Sequence, residues 1–157
     1  MKIIRFLKRF PHYKQNNSSD CGPTSLRMIA RHYGLDYSTE MLRKHCHITR
    51  SGVNLLGISE AAEYIGFDTA GVKVTFEQLA EDGVFPCILH WNQNHFVVCY
   101  GIEKCKHGGF KIHISDSASQ RLTYTKDEFE RCWIGPHRDM VPLPAALCHG
   151  AFGVSLE

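Results

Sequence analysis

The sequence predicts an α+β domain, with helices first and a mostly antiparallel sheet after them. Three observations carry that prediction. Apolar residues recur at helical spacing through the first half of the chain. Beyond Gly83 the pattern changes to short apolar runs separated by turn-forming residues. Those runs follow one another with no helix between them, which favours hairpin pairing over crossovers.

The elements follow in order. Gly22 to Tyr33 reads as a helix with Leu26, Ile29, Ala30 and Tyr33 on one face and Gly34 as its stop. Ser38 caps a short second helix, and Asn54 to Ile65 forms a third that ends at Gly66. Phe67 to Val74 reads as extended. Thr75-Phe76-Glu77-Gln78 fits a capping box ahead of Leu79. Strands are predicted at Phe85–Trp91, His95–Ile102, Phe110–Ser115 and Arg121–Tyr124, with Asn92-Gln93-Asn94 and Lys106-His107-Gly108-Gly109 as turns. Thr125 then caps a last helix that ends near Trp133.

Size and charge narrow the function. A chain of 157 residues is a single-domain length, with an ordinary apolar share of 43% and charged share of 22%. The net charge of +2 comes without a concentrated basic stripe, which argues against nucleic acid as a partner. The basic, amphipathic Met1–Phe10 has no uninterrupted apolar stretch and no small-residue cleavage site, so it is not read as a signal peptide. No apolar run approaches the roughly 18 residues of a membrane span. Seven cysteines, an odd number without a secretion signal, point to a reducing compartment. Neither His45-Cys46-His47 nor Cys99, Cys105 and His107 has zinc-ligand spacing, so no metal is expected.

The chemistry centres on Cys21. Asp20-Cys21-Gly22-Pro23 hands a cysteine directly to a helix, and proline suits the first helical turn. The unpaired N–H groups and positive dipole end there favour thiolate, the nucleophilic form. Buried cysteine is common, however, and most of the others read as small hydrophobes. His95 heads a strongly apolar strand directly after a turn, which holds a ring in one place as a general base requires; the competing reading is a hairpin histidine facing water. Asp116 ends the next strand. Antiparallel pairing would set it beside His95, where a carboxylate fixes the tautomer of an imidazole. Alone, an aspartate there is more often a turn former. Gln15 offers an uncharged donor for an oxyanion, with the Cys21 backbone N–H as its companion.

These residues resemble a known family. Gln15-x4-Asp20-Cys21-Gly22, Leu26-x-Met28-Ile29, the Tyr33-Gly34 close, His95-Phe96-Val97-Val98 and Ile114-Ser115-Asp116 are similar to the papain-like double-glycine leader peptidases. Those are N-terminal domains of bacteriocin- and lantibiotic-processing ABC exporters. The likeness runs from about Phe10 to Trp133. It implies a papain-like cysteine peptidase fold over residues 10–135, with 136–157 a linker or truncated tail towards a transmembrane domain. It further implies cleavage after a Gly-Gly site by Cys21 as nucleophile, His95 as base and acid, Asp116 as orienting carboxylate and Gln15 as oxyanion donor. No cofactor is implied in this domain. The implied partners are a precursor whose leader binds as an amphipathic helix and the exporter's transmembrane and ATPase parts. The implied location is the cytoplasmic side of the membrane, the domain itself being soluble. One departure stands out: the family usually has proline after the aspartate, where this chain has Ser117, read as a change of turn preference. A noncatalytic leader-binding domain and a papain-like acyl transferase or deamidase remain alternative readings.

Overall fold

The computed structural model describes residues 10–50, 52–69, 71, 74–92 and 94–133. Three helices come first, α1 (Cys21–His32), α2 (Thr39–His45) and α3 (Leu55–Tyr64), followed by α4 (Phe76–Asp82). Four strands follow, β1 (Cys87–Trp91), β2 (His95–Lys104), β3 (Phe110–Ser115) and β4 (Arg121–Tyr124), and α5 (Lys126–Trp133) closes the described chain. The predicted tail at 136–157 and the decapeptide through residue 9 lie outside the described residues.

Local chemistry sets the helix ends. Ser38 Oγ accepts the Met41 N–H, Asn54 Oδ1 accepts the Gly57 N–H, and Thr75 and Gln78 form the reciprocal capping box. Gly34 and Gly66 follow α1 and α3 with φ of +85° and +100°, the left-handed conformation in which glycine ends a helix without strain. α1 begins at Cys21, one position ahead of the predicted Gly22.

The strands pair in the order β1-β2-β3-β4, every neighbour antiparallel. β1 begins at Cys87 rather than Phe85, because Pro86 has no N–H to give a ladder. β2 continues beyond the predicted Ile102 to Lys104, paired with Phe110. The segment 67–74, predicted as extended, contributes no strand among its described residues. There the Thr69 hydroxyl ties the chain back to Ser59 and Glu63 of α3 instead of to a neighbouring strand.

Alternation along the strands divides the core. Ile88, Phe96, Val98 and Tyr100 pack with Leu26, Met28 and Ile29 of α1 and with Ile58 and Ala62 of α3. Leu89, Trp91, Val97, Ile112 and Ile114 face the other way, against Phe76, Leu79 and Phe129 of α4 and α5. The sheet is therefore covered on both faces. Helix α1 is held against β2 by this packing and by the Ser25 hydroxyl on the Phe96 carbonyl.

Candidate active site

The site lies where the first turn of α1 meets one rim of the sheet. Register sets two of its groups. Val98 pairs with Ser115, so the tail of β3 runs beside the head of β2. Asp116, one residue beyond β3, accepts a hydrogen bond from His95 Nε2 at 2.7 Å. The Ala118 N–H donates to the same carboxylate oxygen at 2.9 Å, fixing its direction. Because a carboxylate only accepts, Nε2 carries the proton. That leaves Nδ1 as the ring nitrogen available to Cys21, whose side chain helps to raise the ring.

Electrostatics follow from this arrangement. Burial works against a charged His95, but the hydrogen bonds to Asp116 and Cys21 and their charges outweigh it and raise the ring to about 9. Burial also pushes the Asp116 carboxyl up. The His95 hydrogen bond, the Ala118 N–H and the charges of His95 and His12 overcome that and hold it below its ordinary value. Each partner favours the charged form of the other.

Cys21 is 3% exposed, at the start of a 12-residue helix. Gly22 beside it is required by packing: a Cβ there would lie 2.6 Å from Val53 Cγ1 and 3.0 Å from Ile58 Cδ1. Absence of a side chain thus lets α3 close on the turn that carries the sulfur. Asp20 does not cap the helix with its side chain. Its buried carboxylate instead sits 3.5 Å from Arg43 Nε of α2, an ion pair longer than a hydrogen bond.

Gln15 lies on a strap that crosses the β3–β4 end of the sheet. Phe10 stacks on Tyr100 and its carbonyl accepts from Arg121, while His12 Nδ1 meets Ser115 Oγ at 2.8 Å. The Gln15 N–H donates to the Ser117 carbonyl at 2.8 Å. Gln15 therefore joins the group through Ser117, next in sequence to Asp116. The structure brings all four predicted residues to one rim of the molecule: His95 bonds Asp116 and lies near enough to Cys21 to be raised by it, and Gln15 joins through this neighbour.

Sequence reasoning passed over two residues here. His12 lies close enough to Asp116 to help hold its charge, while burial and then Arg121 lower the histidine itself. Ser117 is completely buried and bonded to Gln15. The one signal that marked it was its departure from the proline of the family pattern. Among the described residues, no group of three or more His, Cys, Asp or Glu side chains is placed to hold a metal ion.

Comparison with known proteins decides the lineage. Residues 9–137 match the Peptidase C39 family. The chain belongs to that family. It is 31% identical over 132 residues to a probable microcin-H47 secretion/processing ATP-binding protein of Escherichia coli, covering 84% of this chain and 18% of that protein. It is 33% identical over 149 residues to the transport/processing ATP-binding protein ComA of Streptococcus pneumoniae, covering 90% and 20%. The C39 domain thus spans about a fifth of the length of these curated relatives. Among solved structures, a double glycine motif protease from an AMS/PCAT transporter, in complex with the leader peptide, superposes with a TM-score of 0.74 at 33% identity. That match covers 85% of this chain and 91% of the other. The peptidase domain of Streptococcus ComA gives 0.72 at 28% identity, covering 87% and 99%. The α+β architecture is that of the papain-like C39 peptidases, and the chain is a cysteine peptidase domain.

Proposed function

We propose that this domain removes the leader from a bacteriocin- or lantibiotic-type precursor by cutting after a Gly-Gly pair. The observation that carries the reading is His95 held between Asp116 and Cys21 in a chain of the C39 family. Cys21 thiolate attacks the carbonyl of the second glycine. The Gln15 amide and the Cys21 backbone N–H stabilise the oxyanion that forms. His95 gives its proton to the departing amine as the tetrahedral adduct collapses to a thioester. It then takes a proton from water, whose oxygen releases the leader and restores the thiolate. No step needs a cofactor. A cleft too narrow for a Cβ selects glycine by exclusion, and the leader docks as an amphipathic helix.

Residues 10–135 form the catalytic unit in this reading. The tail at 136–157 leads in this reading towards the transmembrane and ATPase parts of an ABC exporter, and cleavage occurs on the cytoplasmic side before export. No helix among the described residues is long and apolar enough to cross a membrane.

Incubation with a Gly-Gly leader precursor, followed by mass measurement, tests the proposal. The expected result is two fragments, one ending in Gly-Gly. A small mass change without cleavage means transfer or deamidation, and a bound but intact peptide means a docking domain; either rejects hydrolysis.

A further inference from the structure

We propose that Ser117 is a positioning residue that anchors the carboxamide of Gln15 in the place from which it serves the oxyanion. The inference rests on the reading of Gln15 as oxyanion donor and names what makes that donor competent.

A glutamine amide has an accepting end and a donating end of nearly the same shape, and a half-turn about its last bond exchanges them. An oxyanion donor that spends part of its time reversed presents a lone pair to a negative charge. Two contacts hold the amide here. The Ser117 hydroxyl donates to Gln15 Oε1 at 2.7 Å. At the other end Gln15 Nε2 donates to the Asn17 carbonyl at 2.9 Å, and a carbonyl can only accept. Reversal would set Oε1 against the Asn17 carbonyl oxygen, so the Asn17 contact selects the orientation, while the Ser117 hydroxyl anchors the other end of the amide and limits its swing. The amide has two N–H groups. Asn17 takes one, and the second has no partner among the described residues.

Ser117 is suited to this work by its surroundings. It is fully buried, so water does not compete for its hydroxyl, and it holds Gln15 twice, through Oγ and through its backbone carbonyl. It also follows Asp116 directly. One dipeptide therefore positions both the general base, through the carboxylate, and the oxyanion donor, through the hydroxyl. Proline at this position keeps the carbonyl and lacks the hydroxyl. The departure from the family pattern thus has a consequence beyond turn preference.

The test is a double-substitution cycle on the precursor assay, measuring kcat and KM for wild type, S117A, Q15A and the double variant, with S117P as a second way to remove the hydroxyl. S117A and S117P are each expected to lower kcat about threefold to tenfold, the range of one neutral hydrogen bond, with KM unchanged. In the Q15A background the same changes are expected to do nothing further. The alkylation rate of Cys21, which senses the Cys–His pair and not the oxyanion, should stay at its wild-type value in S117A. An equal fall in both backgrounds, or a slowed alkylation, would show that Ser117 acts through Asp116 or through folding and overturns the proposal. So does a kcat unchanged by both S117A and S117P while Q15A is impaired. If Q15A itself is silent, the oxyanion reading fails first and takes this proposal with it.

Discussion

The two faces of the sheet bury cysteine in opposite chemical settings. On the α4–α5 face, Cys87 and Cys99 stand directly opposite each other across β1 and β2, both fully buried. Burial first, and then the hydrogen bond and charge of Cys99, push the Cys87 thiol well above its ordinary range. On the helical face Cys46 ends α2 and is pushed up to about 12, again chiefly by burial and secondarily by Cys21. Cys21 is nearly as buried, at 3% against 1% for Cys46. What it has, and they lack, is a histidine that a carboxylate keeps charged, and the donor end of a helix. Depth alone makes a cysteine inert, and neighbours make one a nucleophile.

The largest effect that tests this contrast is loss of the nucleophile. Cys21→Ala is expected to abolish turnover while leader binding persists; residual cleavage by the purified variant refutes the assignment. Cys87→Ala, on the other face, should keep kcat within about twofold and lower stability by about 1 kcal/mol, the usual size of a small core truncation. A Cys87 variant that folds and does not turn over would break the comparison. Next in size, Gln15→Ala should lower kcat roughly a hundred- to a thousandfold, the loss seen for a single oxyanion donor. A fall below about threefold is too small for that role.

The pH profile sharpens the same contrast. His95 is raised from 6.5 to about 9, so the charged pair persists through neutral pH. The alkaline limb of kcat/KM is therefore expected near 9. In Asp116→Asn the limb should move to lower pH, because burial still lowers the ring while the carboxylate's charge no longer raises it. A limb that stays in place removes Asp116 from the role of orienting group. The same shifts govern stability. The His95 contribution is complete below 6.5 and is lost as pH rises through about 9. Asp116, with its pKa lowered, contributes above the ordinary carboxylate range and loses that contribution as pH falls through its folded value.

Much of this arrangement was legible in the sequence because periodicity is a local signal. The α1 stripe, the capping serine and threonine, and the short apolar runs of β1 to β4 each announce themselves within a dozen residues. The His95–Asp116 contact was legible one step further, since hairpin order alone puts the head of β2 beside the tail of β3. What stayed hidden depends on contacts between distant segments. Ser117 looks like a turn residue until residues 10–17 are laid across the sheet rim. Segment 67–74 reads as extended, and none of its described residues joins a strand. The Asp20–Arg43 pair joins α1 to α2 through space, and neither residue signals the other in sequence.

Two glycines of the helical layer separate packing from positioning. A Cβ at Gly57 would stand 2.1 Å from the Cys46 carbonyl oxygen, against backbone that cannot rotate away. A Cβ at Gly22 would meet side chains, Val53 at 2.6 Å and Ile58 at 3.0 Å. Rotation of the half-buried Val53 relieves part of that clash, whereas α3 must move as a unit to relieve the other. Gly57→Ala should therefore cost more stability, about 2–3 kcal/mol against about 1–2 for Gly22→Ala in urea unfolding. Turnover should rank the other way. Gly22 belongs to the first turn of α1, and a displacement of about 1 Å there moves the sulfur relative to Nδ1, enough for a loss of up to roughly a hundredfold. Gly57 meets the Cys46 backbone at the end of α2 rather than the turn that carries the sulfur. If Gly57→Ala proves the less active enzyme per folded molecule, Cys21 is held in place through α2 and α3 rather than by its own helix turn.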